Sequence, residues 1–112
     1  MHPVHCLASR FENIVLLRRH NEHAVQQLRV AIEVVKARII FLMKQEDIRK
    51  ALNEIKMVFK FLKRTKAKRL VIFDLYGIDL FECIPNDERL GKDYVEKRYP
   101  QMRKVLGVNN DC

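Results

Sequence analysis

The chain has 112 residues, with 22 Lys and Arg against 14 Asp and Glu, so its formal net charge is +8. This length predicts a single domain, residues 1–112, and an apolar content of 48% excludes an intrinsically disordered chain. Neither Gly nor Pro occurs between Val4 and Tyr76, which argues against a sandwich or barrel of short strands. We therefore expect a mainly α protein.

The first predicted region is a basic helical region over residues 8–66. Ser9 and Glu12 have the spacing of a capping box near its start. Apolar residues then recur in steps of 3 and 4, as in the seam of a packed helix or coiled coil, at Val25, Leu28, Ile32, Val35, Ile39 and Leu42. The polar cluster at residues 18–22 interrupts this pattern, so residues 9–43 form either one helix or two helices joined by a turn.

A second apolar stripe begins after the seam fails at residues 44–47. Its members are again spaced by 4, 3, 4 and 3 residues and are Ile48, Leu52, Ile55, Phe59 and Leu62. Glu46 and Asp47 suit the first turn of a helix, where negative charge meets the positive end of the helix dipole. We expect a helix over about 46–65 that folds back as an antiparallel hairpin. One very long helix is the alternative, because no Gly or Pro enforces the turn.

Residues 70–84 are rich in β-branched and aromatic side chains around Tyr76 and Gly77. This composition is typical of a short β-hairpin or extended segment, with Gly77 at a turn that requires positive φ. A C-terminal helical tail is predicted over residues 86–106, with Asn86 as its N-cap and Pro100 ending or kinking it. The expected architecture is a small helical bundle built on an antiparallel helical hairpin.

The segment VIFDLYGID, residues 71–79, resembles the first motif of haloacid-dehalogenase-type phosphatases, in which Asp74 would align with the nucleophile. The second Asp and the Thr of that motif are Tyr76 and Ile78 here, and too few residues follow for the parallel α/β sheet that the motif needs. We therefore expect no phosphatase. With no local support for cysteine nucleophiles either, we expect no catalytic site and no enzyme.

Candidate metal ligands are scattered along the chain and lack the two paired clusters of a typical zinc site. They are His2, His5 and Cys6, then His20 and His23, and finally Asp74, Asp79 and Glu82. We expect surface histidines and solvated acids, with no metal and no cofactor. Three widely spaced cysteines are not a disulfide framework, and no apolar window resembles a signal peptide or a transmembrane segment. An intracellular location, cytoplasm or nucleus, is the expectation.

The basic run carries the main functional signal. Residues 10–69 hold sixteen Lys and Arg against six Asp and Glu, and between Asn53 and Phe73 only Glu54 is acidic. The candidate nucleic-acid-binding residues are Arg49, Lys50, Lys56, Lys60, Lys63, Arg64, Lys66, Lys68 and Arg69. Such side chains bind phosphates and release condensed counterions. We expect binding to the backbone of duplex nucleic acid, with double-stranded RNA slightly favoured because recognition by shape needs no inserted motif.

Two further expectations concern partners. The seams hold more apolar side chains than a single hairpin covers, so a homodimer is predicted. The alternative function is a helical protein–protein interaction or oligomerisation module whose charge steers it to an acidic partner.

The arrangement is similar in outline to the double-stranded-RNA-binding silencing suppressors of insect nodaviruses. The shared features are small size, the apolar seam Leu28–Leu42, the break at Lys44 and Gln45, and a following short apolar helix. This resemblance implies a helical hairpin that dimerises and binds duplex RNA. The segment at 70–84 and the mildly acidic tail depart from it.

Overall fold

The computed structural model describes residues 2–15 and 22–107 of the chain. Its helices are α1 (Pro3–Val15), α2 (Glu22–Lys44), α3 (Ile48–Arg64), α4 (Lys66–Tyr76) and α5 (Tyr99–Leu106). Shorter elements are the 3₁₀ turns Leu80–Cys83 and Glu88–Leu90 and a π-helical turn, Tyr94–Arg98. No strand occurs within the described ranges, and the predicted mainly α fold class is confirmed.

Helix α1 begins earlier than the sequence pattern indicates, at Pro3 rather than near Ser9. Pro3 suits a first helical position, because the N–H that it lacks would have no partner in the helix. His2 caps the helix, since its Nδ1 accepts a hydrogen bond from the Val4 N–H at 3.1 Å. The buried face of α1 has the 3, 4, 3 spacing of a helical seam and consists of Val4, Leu7, Phe11 and Ile14.

Helix α2 lies at the centre of the fold. Five residues of its predicted seam are buried, namely Leu28, Ile32, Val35, Ile39 and Leu42. Helix α1 runs antiparallel beside it: Arg10 donates to Oε1 of Gln27 at 3.3 Å, while His2, at the other end of α1, shares a partner with Arg38. Residues 9–43 are therefore two helices, and the predicted turn at residues 18–22 lies, except for Glu22, outside the described residues.

The predicted hairpin of α2 and α3 is confirmed. Glu46 reverses the chain with φ of +60°, and the Asp47 carboxylate caps α3 by accepting from the Lys50 N–H at 3.3 Å. The most buried residues of α3 are Ala51, Ile55, Val58, Phe61 and Leu62. Ile48, Leu52 and Phe59 of the predicted stripe are only half-buried, so the core-facing side is rotated slightly from the one predicted.

Residues 70–76 form the second part of α4, so the extended or hairpin segment predicted near 70–84 is wrong for this part of the chain. Gly77 ends the helix with φ of +68° and donates its N–H to the Phe73 carbonyl at 2.8 Å. The positive φ expected of Gly77 is confirmed, but it closes a helix rather than a hairpin. The C-cap at Gly77 and the burial of Ile72 override the β propensity of this segment.

The C-terminal tail is helical, as predicted, but its details differ. Asp87 rather than Asn86 caps the first turn, accepting from the Arg89 N–H at 2.9 Å. The tail passes Pro100 without ending, because a wide turn precedes it in which the Tyr99 N–H bonds to the Tyr94 carbonyl. Such a turn shifts the hydrogen-bond ladder at the place where proline has no N–H to donate.

The seam of α2 is covered within one chain by α1, α3 and the 3₁₀ turn Leu80–Cys83. The molecule measures 40 × 34 × 20 Å, so it is about two helix diameters thick. The predicted homodimer depended on seam residues that a single hairpin could not cover. The dimer stays a prediction, but these residues no longer support it.

Candidate nucleic-acid interface

The solvent side of α3 carries a straight line of positive charge. Arg49, Lys56, Lys60 and Lys63 are exposed, and Asn53 fills the one gap in their 4, 3, 4, 3 spacing. Residues spaced in this way lie on one face of a helix. The line is about 21 Å long at about 1.5 Å per residue.

Glu54, the one acidic residue of α3, faces away from this line. It is 8% exposed, and its Oε1 accepts from Nε of Arg38 at 3.0 Å and from Nε2 of His2 at 2.9 Å. His2 accepts through Nδ1, so the neutral ring carries its proton on Nε2 and donates it to the carboxylate. The exposed side of α3 consequently bears cations with no acid among them.

Two cations beside this line have neighbours that hold them in place. Lys50 lies 3.6 Å from the Asp47 carboxylate across an exposed turn, a contact of small energy that partly neutralises its charge. Arg64 lies with its guanidinium 5.9 Å from the centre of the Phe61 ring and remains exposed. Cation–π contacts of this kind fix a side chain without removing its charge.

Two further exposed cations lie on the first turn of α4, and one of them, Lys68, lines a hollow with Arg64 and the acidic Glu12. Lys66 and Lys68 are exposed there, next to the junction at Thr65, where α3 ends and α4 begins. The N-terminal end of a helix carries a partial positive charge, which adds to that of the two lysines. We call the exposed set the cationic face, and it consists of Arg49, Lys50, Lys56, Lys60, Lys63, Arg64, Lys66 and Lys68.

Arg69 does not belong to this surface. It is 3% exposed, and its Nη2 donates to the Leu106 carbonyl at 2.7 Å, where it caps the last turn of α5. Within the part of the chain that the structure describes, its Nε has no hydrogen-bond partner. Burial lowers the pKa of Arg69, and the charge of Asp79 partly offsets this effect. Arg69 joins α4 to α5 and is not available to a phosphate.

The candidate metal ligands considered from the sequence do not form a metal site within the described residues. Asp74 and Glu82 are exposed, whereas Asp79 accepts from the Phe81 N–H at 3.0 Å and caps a 3₁₀ turn. Cys83 is fully buried, and burial raises the pKa of its thiol to about 12. Among residues 2–15 and 22–107, no three His, Cys, Asp or Glu side chains are grouped so that they could hold a metal ion. His20 lies outside these ranges.

Exposed apolar side chains are the feature that the sequence patterns did not predict. They occur on α2 at Val30, Val34 and Phe41 and on α4 at Leu70, Val71, Phe73 and Leu75. Those of α2 could have been predicted from the sequence, because they recur at helical spacing just as the seam residues do. Those of α4 could not, because the composition of residues 70–84 predicted a strand rather than a helix.

Comparison of the chain with protein-family models, with curated proteins and with solved structures found no match. Within the described residues, no helix is both long enough and apolar enough to cross a membrane.

Proposed function

We propose that the protein binds duplex nucleic acid through its phosphate backbone, using the cationic face. The observation that carries this proposal is the line of cations on α3, which no acidic side chain interrupts. The one acidic residue of α3, Glu54, is turned to the interior and paired with Arg38. A surface with such an excess of positive charge fits a polyanion.

Affinity in this proposal comes from phosphates and not from base edges. A duplex carries about one negative charge per 1.7 Å of its axis, so a line of about 21 Å meets several phosphates at once. Backbone contacts position a protein without reading sequence. Duplex RNA is slightly favoured over DNA, because its recognition depends mostly on shape.

The experiment is a fluorescence-anisotropy titration of duplex RNA, duplex DNA and single-stranded RNA over a range of salt concentrations. The test variant, Lys60→Gln/Lys63→Gln/Arg64→Gln, should keep its helicity and bind duplexes much more weakly. The slope of log K against log salt is negative. If all three side chains contact phosphates, its magnitude should decrease by about 2.7 for B-form DNA.

The matched control removes the same charge from another surface. Lys92, Lys97 and Arg98 are exposed on the C-terminal tail, so Lys92→Gln/Lys97→Gln/Arg98→Gln gives the same net charge as the test variant. It should bind duplexes nearly as well as the wild type. Two results would refute the proposal: wild-type protein that ignores duplexes at about 50 mM salt, or equal losses in the two variants.

A homodimer would double the cationic surface offered to one duplex, and we propose it as the working form. The chain has a mass of 13.4 kDa, so light scattering distinguishes a monomer from a species of twice that mass. A monomer at tens of micromolar would contradict the dimer and leave duplex binding to a single cationic face.

A second candidate function is a helical interaction module that binds an acidic protein partner. The observation that favours it is the apolar surface on α2 and α4, where Phe41 is 56% and Leu75 58% exposed. Contiguous exposed apolar patches often mark interaction sites, whereas single exposed apolar residues are common on any protein surface. Duplex binding requires no such surface, so the two candidates rest on different observations.

A further inference from the structure

Helix α2 carries a second apolar stripe on its solvent side. Val30, Val34, Ala37 and Phe41 follow one another in steps of 4, 3 and 4, the spacing of a packed helix seam. Val30 is 59% exposed, Val34 47% and Phe41 56%. The helix thus has two apolar sides, and the inner one is already covered by the core. The outer stripe has the pattern expected where another helix packs.

A groove runs along the N-terminal half of this stripe. Helix α1 lies antiparallel to α2 and forms its wall with Pro3 and Cys6, while Val30, Ala31 and Val34 form its floor. The groove has a volume of about 350 Å³, and its lining is mostly apolar. A shallow apolar groove between two helices is a recurring site for a third, amphipathic helix.

A cation lies near each end of the groove and stripe. Arg10 lies at one end of the groove, with Nη1 donating to Oε1 of Gln27 at 3.3 Å. Lys44 lies farther along α2 and is exposed, whereas the charge of Arg38 is paired with Glu54. Glu33 is the acidic residue nearest to the stripe in the sequence of α2. Arg10 lines the groove, and no acidic side chain does among the described residues, so the charge of the groove fits an acidic partner.

We propose that this groove binds an amphipathic helix of an acidic partner protein. The partner helix would place apolar side chains at i, i+3 or i+4 and i+7 against Val30, Val34 and Phe41. Its flanking Glu or Asp residues would face Arg10 and Lys44. This inference deepens the second candidate function and is independent of duplex binding, which uses α3.

Charge selects this occupant over the others. A second copy of the chain seated in this groove would bring its own Arg10 and Lys44 near those of the first, and like charges repel, so the proposed homodimer would use another surface. A duplex has the right charge but offers no apolar ridge to the floor of the groove. The exposed side of α4 is a poorer helix site, because Lys66 and Asp74 lie among its apolar residues.

The test uses a synthetic peptide of leucine and glutamate heptads, with leucine at the a and d positions, and its isomer with lysine in place of glutamate. Binding to the full chain is followed by fluorescence anisotropy. The variant Val34→Ser/Phe41→Ser removes two exposed side chains and should fold normally by circular dichroism. Leu70→Ser/Leu75→Ser, which removes apolar surface from α4, is the matched control.

The glutamate peptide should bind the wild type, and raising the salt concentration should weaken it. Affinity should fall at least about tenfold in Val34→Ser/Phe41→Ser, which removes two apolar anchors. It should stay unchanged in Leu70→Ser/Leu75→Ser. Duplex binding should be the same in both variants, so a failure of this proposal is distinguishable from a failure of duplex binding.

Four results would overturn the proposal. The lysine peptide could bind as tightly as the glutamate peptide, or the α4 variant could lose as much affinity as the α2 variant. Sedimentation could show a dimer that Val34→Ser/Phe41→Ser dissociates, with no peptide binding, which would make a second copy the occupant. Anionic vesicles could retain the wild type but not that variant while the peptide stays unbound, which would make a lipid surface the occupant.

Discussion

Nε of Arg38 donates to Oε1 of Glu54 at 3.0 Å, and this contact joins α2 to α3 across the hairpin. Oε1 of Glu54 also accepts from Nε2 of His2 at 2.9 Å, so one carboxylate connects three segments of the chain. The same contact removes the one negative charge of α3 from its solvent side. Packing and surface charge are therefore coupled at Glu54.

Replacing Glu54 by Ala should lower the free energy of unfolding by about 1–2 kcal/mol. Hydrogen bonds to a charged group contribute about 1.5–3 kcal/mol, and part of this is lost to solvent because the Arg38 side chain is 42% exposed. Urea denaturation monitored by circular dichroism measures the change. Glu96→Ala, which makes the same change of charge at an exposed site, should cost less than about 0.5 kcal/mol. Equal losses in the two variants would contradict the role of Glu54.

Leu28→Ala and Ile32→Ala should each destabilise the fold by about 2–5 kcal/mol, because both side chains lie in the core of α2 and truncation leaves a cavity. Val34→Ala is the control on the outer side of the same helix and should cost less than about 1 kcal/mol. Chemical denaturation provides the comparison. Similar midpoints for Leu28→Ala and Val34→Ala would mean that the assignment of the two sides of α2 is wrong.

Local patterns predicted most of the helical framework. The spacing from Leu28 to Leu42 identified the buried side of α2, and the acids at Glu46 and Asp47 marked the start of α3. These features depend on residues within one or two turns of each other, so they can be read from a single sequence.

The rest depends on contacts between distant parts of the chain. Glu54 pairs with His2, 52 residues away, and no local pattern indicates that its carboxylate turns inward. Arg69 likewise looks like one more cation of the basic run until α5 places the Leu106 carbonyl against it. The helical state of residues 70–76 is a tertiary effect, since their intrinsic preference favours strand.

The thiol of Cys83 should be inert in the folded protein. It is fully buried, and burial raises its pKa to about 12, so very little thiolate forms at neutral pH. The variant Cys6→Ser/Cys112→Ser leaves Cys83 as the one thiol of the chain. It should react with a thiol reagent at pH 8 only after denaturant is added. Rapid reaction of the native variant would show that the interior around Cys83 is open.

Cys83 should also make the fold less stable in alkali. Above the pKa of the thiol in the unfolded chain and up to about 12, the folded state keeps the proton while the unfolded state loses it. Stability then falls as the pH rises, by up to about 1.4 kcal/mol per pH unit. Burial also raises the pKa of Tyr94, which acts in the same direction. The decline should be shallower in Cys83→Ala, and an identical slope in that variant would contradict the assignment.

Lys68 and Arg69 are neighbours of equal charge, and we predict opposite outcomes when each is made neutral. Lys68 is exposed on the cationic face, whereas Arg69 is buried against the Leu106 carbonyl. Lys68→Gln should weaken duplex binding and lower the salt slope by about 0.9 for B-form DNA, while Arg69→Met should leave both unchanged. Arg69→Met should instead speed amide hydrogen exchange in α5, because the last turn of that helix loses its cap. A loss of duplex affinity in Arg69→Met, with normal exchange in α5, would mean that the guanidinium reaches the nucleic acid after all. Normal duplex binding by Lys68→Gln would remove Lys68 from the interface and leave Lys66 and the cations of α3 to hold the phosphates.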